Sequence, residues 1–213
     1  IVISSSHAEA KGVITKPDTV HICYCHTPTR YYWSNYHEYR NQMEFGILNP
    51  IARIAMPIFI HKLRQWDYLA AQRVDHFIAN SKFVAERIKK YYRRDSTVIY
   101  PPVDTVSHYY DPSVVKEDYY FTMSRLIPYK KFDILVKAAT EAGVKLKVGG
   151  SGPELEKLKK MAGSTIEFLG FVSDADKVSL MQKAKGFLFA AEEDFGIVPV
   201  EAMACGTPVL AYG

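Results

Sequence analysis

The fold is decided by a stretch near the C-terminal end, which runs GFLFAAEEDFGIVPVEAMACGTPVLA over residues 186–211. The apolar run Gly186–Ala190 predicts a buried strand, and Ile197–Ala204 has the apolar spacing of a helix. A second apolar run, Pro208–Ala211, predicts another strand directly after that helix. A strand, a helix and a strand at this spacing form a right-handed βαβ unit, whose two strands lie parallel in one sheet.

The same alternation extends backwards through the second half of the chain. Further predicted strands cover Tyr119–Ser124, Val144–Val148 and Thr165–Leu169, and further predicted helices cover Lys130–Ala142, Pro153–Met161 and Asp174–Lys183. Strands that alternate with helices indicate an α/β domain with a parallel sheet.

The first half of the chain shows the same pattern with wider spacing. Predicted strands cover Ile1–Ser5, Val20–Cys25, Phe77–Ala79 and Thr97–Tyr100. The region Ile47–Val74 predicts one helix or two, with Pro50 near a start and Pro57 as a kink. A further helix is predicted over Ser81–Tyr92, with Asn80 or Ser81 as its N-cap.

The two halves are separated by residues 101–117, which contain three prolines, few aliphatic residues and no helical periodicity. This composition predicts a linker. Residues 1–100 and residues 118–213 then form two α/β domains joined by this linker. Two such domains facing each other make a cleft, and ligands of parallel sheets bind at the carboxyl ends of the strands.

Length and composition limit the number of domains and the class of protein. The chain has 213 residues and a mass of 24.2 kDa, which allows one large domain or parts of two, and its 48% hydrophobic content is that of a folded protein. Because it begins with Ile1 and ends at Gly213 directly after a strand, we expect an internal fragment of a longer protein. Such a fragment, made alone, should be poorly stable and inactive.

Charge and cysteine content restrict the partners and the compartment. The net charge is +4, and the segment from Arg40 to Asp95 contains 11 basic and 5 acidic residues. This local excess of positive charge indicates either an anionic partner or a solvated helix face. No nucleic-acid-binding module is recognisable. Three cysteines favour a reducing compartment, and no apolar run reaches the roughly 20 residues of a membrane span. We expect a cytoplasmic protein.

The stretch Ile47–Trp66 combines apolar residues with Arg53, Lys62 and Arg64. It predicts either a core helix or a peripheral contact with an anionic membrane, at the inner face of the cell membrane.

Two carboxylates, Glu193 and Glu201, stand eight residues apart in the stretch that opens this section. Glu193 falls in the loop after a predicted strand, and Glu201 falls about one turn inside the following helix. Gly196 permits close approach of a ligand to the backbone, and the helix start offers free N–H groups for an anion. The pair could hold two sets of ligand hydroxyls, or could be a capping acid and a surface acid.

Two cations follow the predicted strand Tyr119–Ser124, at the carboxyl edge of the sheet. Arg125 and Lys130 belong to the segment that opens the next helix, where a guanidinium fork and an ammonium suit a diphosphate. Solvated loop charges are the alternative, and Lys131 is the weaker phosphate ligand.

Taken together, these motifs closely resemble the retaining glycosyltransferases of family 4, which have the GT-B fold. The resemblance runs from about residue 97 to residue 213 and includes Gly150-Ser-Gly152-Pro153, Gly170-Phe-Val172 and the run that begins at Glu201. The segments from His21 to Trp33 and from Asp75 to Ser81 are similar to bacterial mannosyltransferases of O-antigen and exopolysaccharide assembly.

This resemblance implies that residues 1–100 are the C-terminal part of an N-terminal, acceptor-side Rossmann-like domain and that residues 118–213 are a truncated donor-binding one. It also implies a role for each motif residue. Arg125 and Lys130 would bind the diphosphate of a nucleotide-sugar donor, and Glu193 would contact the donor sugar near the reacting centre. Glu201 would hold the ribose. His26, after a strand of the first domain, matches the active-site histidine. The remaining implied donor contacts are made largely through the main chain, by Val172 to the base and by Phe195, Gly196 and Ile197 to sugar and phosphate.

The resemblance also implies transfer with retention, without a metal ion or another cofactor, and with the leaving diphosphate taking the acceptor proton. The expected donor is GDP-mannose and the expected acceptor a glycan or lipid-linked glycan. Two alternatives stay open, a non-catalytic nucleotide-sugar-binding subunit and a GT-B sugar-nucleotide epimerase.

Three other patterns superficially resemble ligand sites: two resemble metal sites and one resembles a dinucleotide-binding loop. His21, Cys23 and Cys25 alternate along one strand, which is typical of buried core positions, although a metal cluster would look similar. Asp174 and Asp176 follow Ser173 at a predicted helix start, where acids complement the helix dipole. The glycines of residues 149–152 lack the third glycine of a dinucleotide fingerprint.

Overall fold

The computed structural model describes residues 1–37 and 49–212. Its contacts divide the chain into two compact units, Ile1–Pro101 and Pro102–Gly213. Each unit has a parallel sheet of its own with helices packed against it, so both have the α/β class that the alternation of strands and helices predicts. Ile47 and Leu48, where the first predicted helical region begins, lie outside the described residues.

The first unit contains a four-stranded parallel sheet in the order β1-β2-β3-β4. Its strands are β1 (Val2–Ser6), β2 (His21–Cys25), β3 (His76–Ala79) and β4 (Ser96–Val98). Helix α1 (Asn49–Gln72) precedes β3, and helix α2 (Lys82–Tyr92) precedes β4. Four strands were predicted here, and all four form.

Helix α1 is one continuous helix that includes Pro57, so the alternative of two helices is wrong. Helix α2 confirms Ser81 as the N-cap, since its side-chain oxygen accepts the N–H of Val84. None of the helices in the described part of the chain has the length and apolarity that crossing a membrane requires.

The core of the first unit lies between β2, β3 and the two helices. Cys23 and Cys25 point inward from alternate positions of β2 and pack against buried side chains of α2. All described cysteines are free thiols. The buried thiols therefore contribute to the core. The buried residues of this cluster are Cys23, Cys25, Ala71, Val74, Phe77, Ala79, Val84, Ile88 and Tyr92.

The second unit contains a five-stranded parallel sheet in the order β7-β6-β5-β8-β9. Its strands are β5 (Tyr120–Met123), β6 (Leu146–Gly149), β7 (Ile166–Gly170), β8 (Gly186–Phe189) and β9 (Val209–Ala211). Its helices are α3 (Phe132–Glu141), α4 (Leu155–Met161), α5 (Asp174–Lys183) and α6 (Ile197–Ala204). Every strand and helix predicted in this half is present.

Two helix starts differ from the prediction. The segment Pro128–Lys130 forms a 3-10 turn, and Lys131 has a φ of +57° that interrupts the chain before α3 begins at Phe132. Lys130 therefore lies in the loop before the helix, not in its first turn. Helix α4 begins at Leu155, two residues after Pro153.

The sheet of the second unit is covered on both faces. One core cluster includes Phe121, Phe187 and residues of α5 and α6, and the other includes Leu146, Val148 and residues of α3 and α4. From β5 the strand order proceeds through β6 to β7 on one side, and through β8 to β9 on the other. The reversal of direction between β5 and β8 is the point where parallel sheets of this kind bind their ligands.

Candidate active site

The loops that follow β5 and β8 meet at the carboxyl edge of the second unit's sheet. β5 pairs directly with β8, so the residues after their C-terminal ends come close together although they are far apart in the sequence. The first loop carries Arg125 and Lys130, and the second carries Glu193. These are the charged residues that the sequence singled out.

Lys130 and Glu193 form an ion pair between these two loops. The side chain of Lys130 is 15% exposed and that of Glu193 is 20% exposed, so both are largely shielded while still open to a ligand. Burial of this degree strengthens the electrostatic interaction of the ammonium with any anion beside it. The pair combines a fixed cation and a fixed carboxylate.

Gly196 ends the loop after β8 and begins α6. Its φ of +80° lies in the left-handed region that glycine adopts without steric cost. This conformation turns the chain so that α6 starts at Ile197, beside Phe195 and a few residues after Glu193. The first N–H groups of a helix have no intrahelical partner, so this end of α6 favours negative charge.

Glu201 lies on α6 and is held by residues outside that helix. Its Oε2 is 3.2 Å from Nζ of Lys177 on α5, and its Oε1 is 3.8 Å from Nε2 of His108. Both Glu201 and Lys177 have about one eighth of their side chains exposed. These residues line a cleft of about 570 Å³, whose lining includes Asp104, Ser107, His108, Asp174, Lys177 and Glu201.

Arg125 and Val172 complete the set of residues assigned to the second unit. The side chain of Arg125 is exposed at the end of β5. Val172 follows β7 and lies next to Gly149 at the end of β6, where an added Cβ would be 3.0 Å from a Val172 methyl group. The carboxyl ends of β5, β7 and β8 thus carry assigned residues, and β6 lies between β7 and β5.

His26 lies in the first unit, directly after β2. Its Nε2 is 2.9 Å from Oγ of Ser5, and its ring makes an edge contact with Tyr24 at 5.4 Å between centroids. Its backbone N–H donates to the carbonyl of Ser6. The ring is half-buried at the carboxyl edge of this unit's sheet.

The loop after His26 is anchored by a buried carboxylate that the sequence did not reveal. Asp67 on α1 accepts hydrogen bonds from Thr29, Trp33 and Tyr92 at 2.8–2.9 Å. It also pairs with Lys11 at 2.6 Å, with both side chains at most 3% exposed. A single acid on a helix face gives no local sign of such a network, because all its partners are distant in sequence.

His108 and Lys177 are the two residues of the cleft that sequence reasoning missed. Lys177 lies on the same face of α5 as Asp174, with which it pairs at 3.4 Å, and this spacing of three residues was visible in the sequence. His108 falls in the proline-rich segment, where no periodicity indicates its surroundings.

At the start of α5, the oxygen of Ser173 accepts the N–H of Asp176, which makes Ser173 the N-cap. Asp174 and Asp176 lie in the first turn, as predicted. Within the described ranges, no group of three or more metal-ligating side chains comes together.

Comparison with known protein families matches each half of the chain to a glycosyltransferase model. A model described as "Glycosyltransferase Family 4" matches residues 2–107, and one described as "Glycosyl transferases group 1" matches residues 111–213. The chain belongs to glycosyltransferase family 4. This membership confirms the family and the GT-B fold that the motifs of residues 97–213 predicted.

Relatives of this family include mannosyltransferases. A phosphatidyl-myo-inositol mannosyltransferase of Mycobacterium leprae is 47% identical over 73 residues, which are 32% of this chain and 19% of that protein. A GDP-mannose-dependent monoacylated alpha-(1-6)-phosphatidylinositol monomannoside mannosyltransferase of Corynebacterium glutamicum is 34% identical over 104 residues, which are 41% of this chain and 27% of that protein. The chain spans less than half the length of the curated relatives it matches.

The crystal structure of TarM is similar to this chain in fold. It aligns with 99% of this chain and 41% of its own chain, with a TM-score of 0.71 and 17% sequence identity. At this identity the likeness concerns the fold.

Proposed function

We propose that the full-length protein is a retaining glycosyltransferase that moves mannose from GDP-mannose to a glycan or lipid-linked glycan acceptor. The observation that carries the proposal is the Lys130–Glu193 ion pair, which lies where the strand order reverses between β5 and β8. It brings a cation for the donor diphosphate and a carboxylate for the donor sugar to one place. The mannosyltransferase relatives support mannose as the sugar, and the GDP-mannose-dependent one supports the donor.

In this proposal the chemistry depends on stabilising the leaving diphosphate. Lys130, Arg125 and the N-terminal end of α6 supply positive charge where negative charge develops. Glu193 orients Lys130 and accepts hydrogen bonds from sugar hydroxyls. Glu201 accepts hydrogen bonds from the ribose hydroxyls, and Lys177 holds its carboxylate through Oε2. The proposed main-chain contacts to the donor are made by Val172, Phe195, Gly196 and Ile197. His26 is the proposed active-site histidine of the first unit.

The decisive experiment measures transfer of radiolabelled mannose to a glycan acceptor by the full-length protein. We expect Lys130→Gln and Glu193→Gln each to reduce the rate by at least about 10²-fold, the usual loss when one transition-state charge contact is removed. The matched controls are Lys131→Gln and Glu192→Gln, which change exposed neighbours of the same type. Folding is checked by circular dichroism.

The outcomes separate the candidate functions. Activity within a few-fold of the unaltered protein in either site variant would contradict the site assignment. GDP-mannose binding without transfer to any acceptor would identify a binding subunit, and a changed sugar nucleotide in the absence of acceptor would identify an epimerase.

We also propose a peripheral contact with an anionic membrane surface at the cytoplasmic face, where a lipid-linked acceptor would be reached. Its support is an exposed side of α1, on which the apolar side chains of Ile58, Phe59 and Leu69 accompany Lys62. Apolar side chains beside a cation suit the boundary between lipid headgroups and acyl chains.

A further inference from the structure

The imidazole of His108 is buried and incompletely bonded. Only 6% of its side chain is exposed, and its Nε2 has no hydrogen-bond partner. Its Nδ1 lies 3.0 Å from the carbonyl oxygen of Asp104. The carboxylate of Asp104 accepts the N–H groups of Val106 and Ser107 at 3.0 Å, which fixes the turn that carries His108. A fixed ring with an unpartnered buried nitrogen requires an explanation.

The unpartnered nitrogen faces Glu201. Nε2 of His108 is 3.8 Å from Oε1 of Glu201, while Lys177 occupies the other oxygen, Oε2, from the opposite side. The carboxylate is thus bracketed by side chains of two different segments, both outside its own helix. The three residues line the same cleft of about 570 Å³.

The bonding at Nδ1 determines what Nε2 can do. A carbonyl oxygen only accepts hydrogen bonds, so Nδ1 of His108 carries a hydrogen that it donates to Asp104. In a neutral ring Nε2 is then an acceptor, and it faces a carboxylate oxygen, which is also an acceptor. Only the doubly protonated ring can donate from Nε2 to Glu201.

We propose that His108 is a positioning residue for Glu201, whose protonated ring holds Oε1 while Lys177 holds Oε2. The carboxylate is then fixed in direction before a ligand arrives, which reduces the cost of binding. The charged groups around this contact are Glu201 on α6, Lys177 and Asp174 on α5, and Asp104 in the turn of His108 itself. The inference rests on the proposed function, because the ligand of Glu201 is the nucleotide sugar assigned there.

A double-mutant cycle on the full-length protein tests the contact, with GDP-mannose affinity measured by calorimetry at about pH 6. We expect His108→Phe to weaken binding about tenfold, as for loss of one hydrogen bond to a charged group. In a Glu201→Gln background the same change should have almost no further effect, since His108 acts through that carboxylate. A residue with a merely structural role would weaken binding equally in both backgrounds.

The pH dependence of the loss gives a second readout. Only the doubly protonated ring donates from Nε2 to Glu201, so the loss caused by His108→Phe should become smaller when the measurement is repeated at about pH 8.5. Both phosphates of this donor are esterified, so it lacks the terminal phosphate group that titrates near pH 6. His108→Gln keeps a side-chain N–H donor but cannot become charged, so any binding that it retains should not depend on pH; it also guards against a folding defect of His108→Phe. His61→Phe, at an exposed position of α1, is the matched control and should match the unaltered protein.

The results distinguish this inference from the function on which it rests. Equal losses in both backgrounds, or an equal loss at both pH values, would overturn the role of His108 and leave the proposed function standing. If the unaltered protein binds GDP-mannose at neither pH value, the proposed function and the inference are both overturned.

Discussion

Burial lowers the pKa of His21, which lies on β2 in the interior of the first unit. Loss of solvation is the largest cause, and the charge of Asp75 opposes it in part. The Nε2 of His21 is 2.8 Å from Oγ of Ser4, but its Nδ1 has no hydrogen-bond partner. The folded protein therefore holds this ring in its neutral form.

Acidification should destabilise the protein through His21. Because the folded-state pKa is lowered, the unfolded chain binds the proton first as the pH falls below about 6.5, and stability is lost from there down to the folded-state pKa. We expect the free energy of unfolding to fall by at most about 1.4 kcal/mol per pH unit from this group. Chemical denaturation between pH 7 and pH 5 measures it. His21→Phe should flatten the slope, and an unchanged slope would exclude His21 as the cause.

At the residue scale, the sequence indicated the site residues whose chemistry depends on local context. Gly196 and Glu193 stand in a loop between a strand and a helix, and their neighbours alone predict a turn and an anion-binding helix start. His108 had no such context, because its partner Glu201 is brought to it by the sheet. A buried, unpartnered nitrogen is a property of the packed structure.

Among the elements, α1 carries a buried polar anchor of the first unit. The carboxylate of Asp67 joins α1 to the loop after His26 and to the end of α2, through Thr29, Trp33 and Tyr92. Lys11 reaches the same carboxylate from the segment after β1. One side chain thus ties four segments together.

Removal of this anchor should be costly. We expect Asp67→Ala to lower the free energy of unfolding by about 3–5 kcal/mol, because it leaves the buried ammonium of Lys11 without its partner. The double variant Lys11→Met, Asp67→Leu should lose clearly less, since no uncompensated charge remains. Asp95→Asn, which breaks the exposed pair with Lys89, is the control and should have no measurable effect. Equal losses in all three variants would contradict this account.

The exposed side of α1 also allows a test of the membrane proposal. We expect the full-length protein to float with vesicles that contain anionic lipid, and to remain unbound with neutral ones. Ile58→Ser combined with Phe59→Ser should weaken binding by reducing the buried apolar area, and Lys62→Gln should weaken it mainly at low salt. Asp95→Asn again serves as the control. Flotation that is unaffected by all of these changes would place the contact elsewhere.

The sequence predicted whether each segment forms a helix or a strand, but it located the starts of the helices less accurately. Periodicity identifies α3, because Phe132, Val136 and Ala139 all face the core. Its start was misplaced, because the left-handed Lys131 interrupts the helix and an ordinary lysine gives no warning of a positive φ.

On the scale of the whole molecule, donor binding should stabilise the fold. A ligand present at about 100 times its dissociation constant adds about 2.7 kcal/mol to the free energy of unfolding. We expect GDP-mannose to raise the melting temperature of the full-length protein more than UDP- or ADP-sugars do. Lys130→Gln should reduce the shift and Lys131→Gln should not. The absence of a shift with GDP-mannose would remove the donor assignment.

The sequence by itself determined the α/β class, the order of strands and helices and the family, and it singled out the charged residues that we propose to bind a donor. These properties depend on local periodicity and on spacings within single loops, which neighbouring residues encode. Only the tertiary structure decided which distant residues meet. Lys130 reaches Glu193 across 63 positions because β5 and β8 are neighbours in the sheet. His108 and Lys177 meet at Glu201 because three separate segments pack together, and the free energy of that packing belongs to no single stretch of the chain.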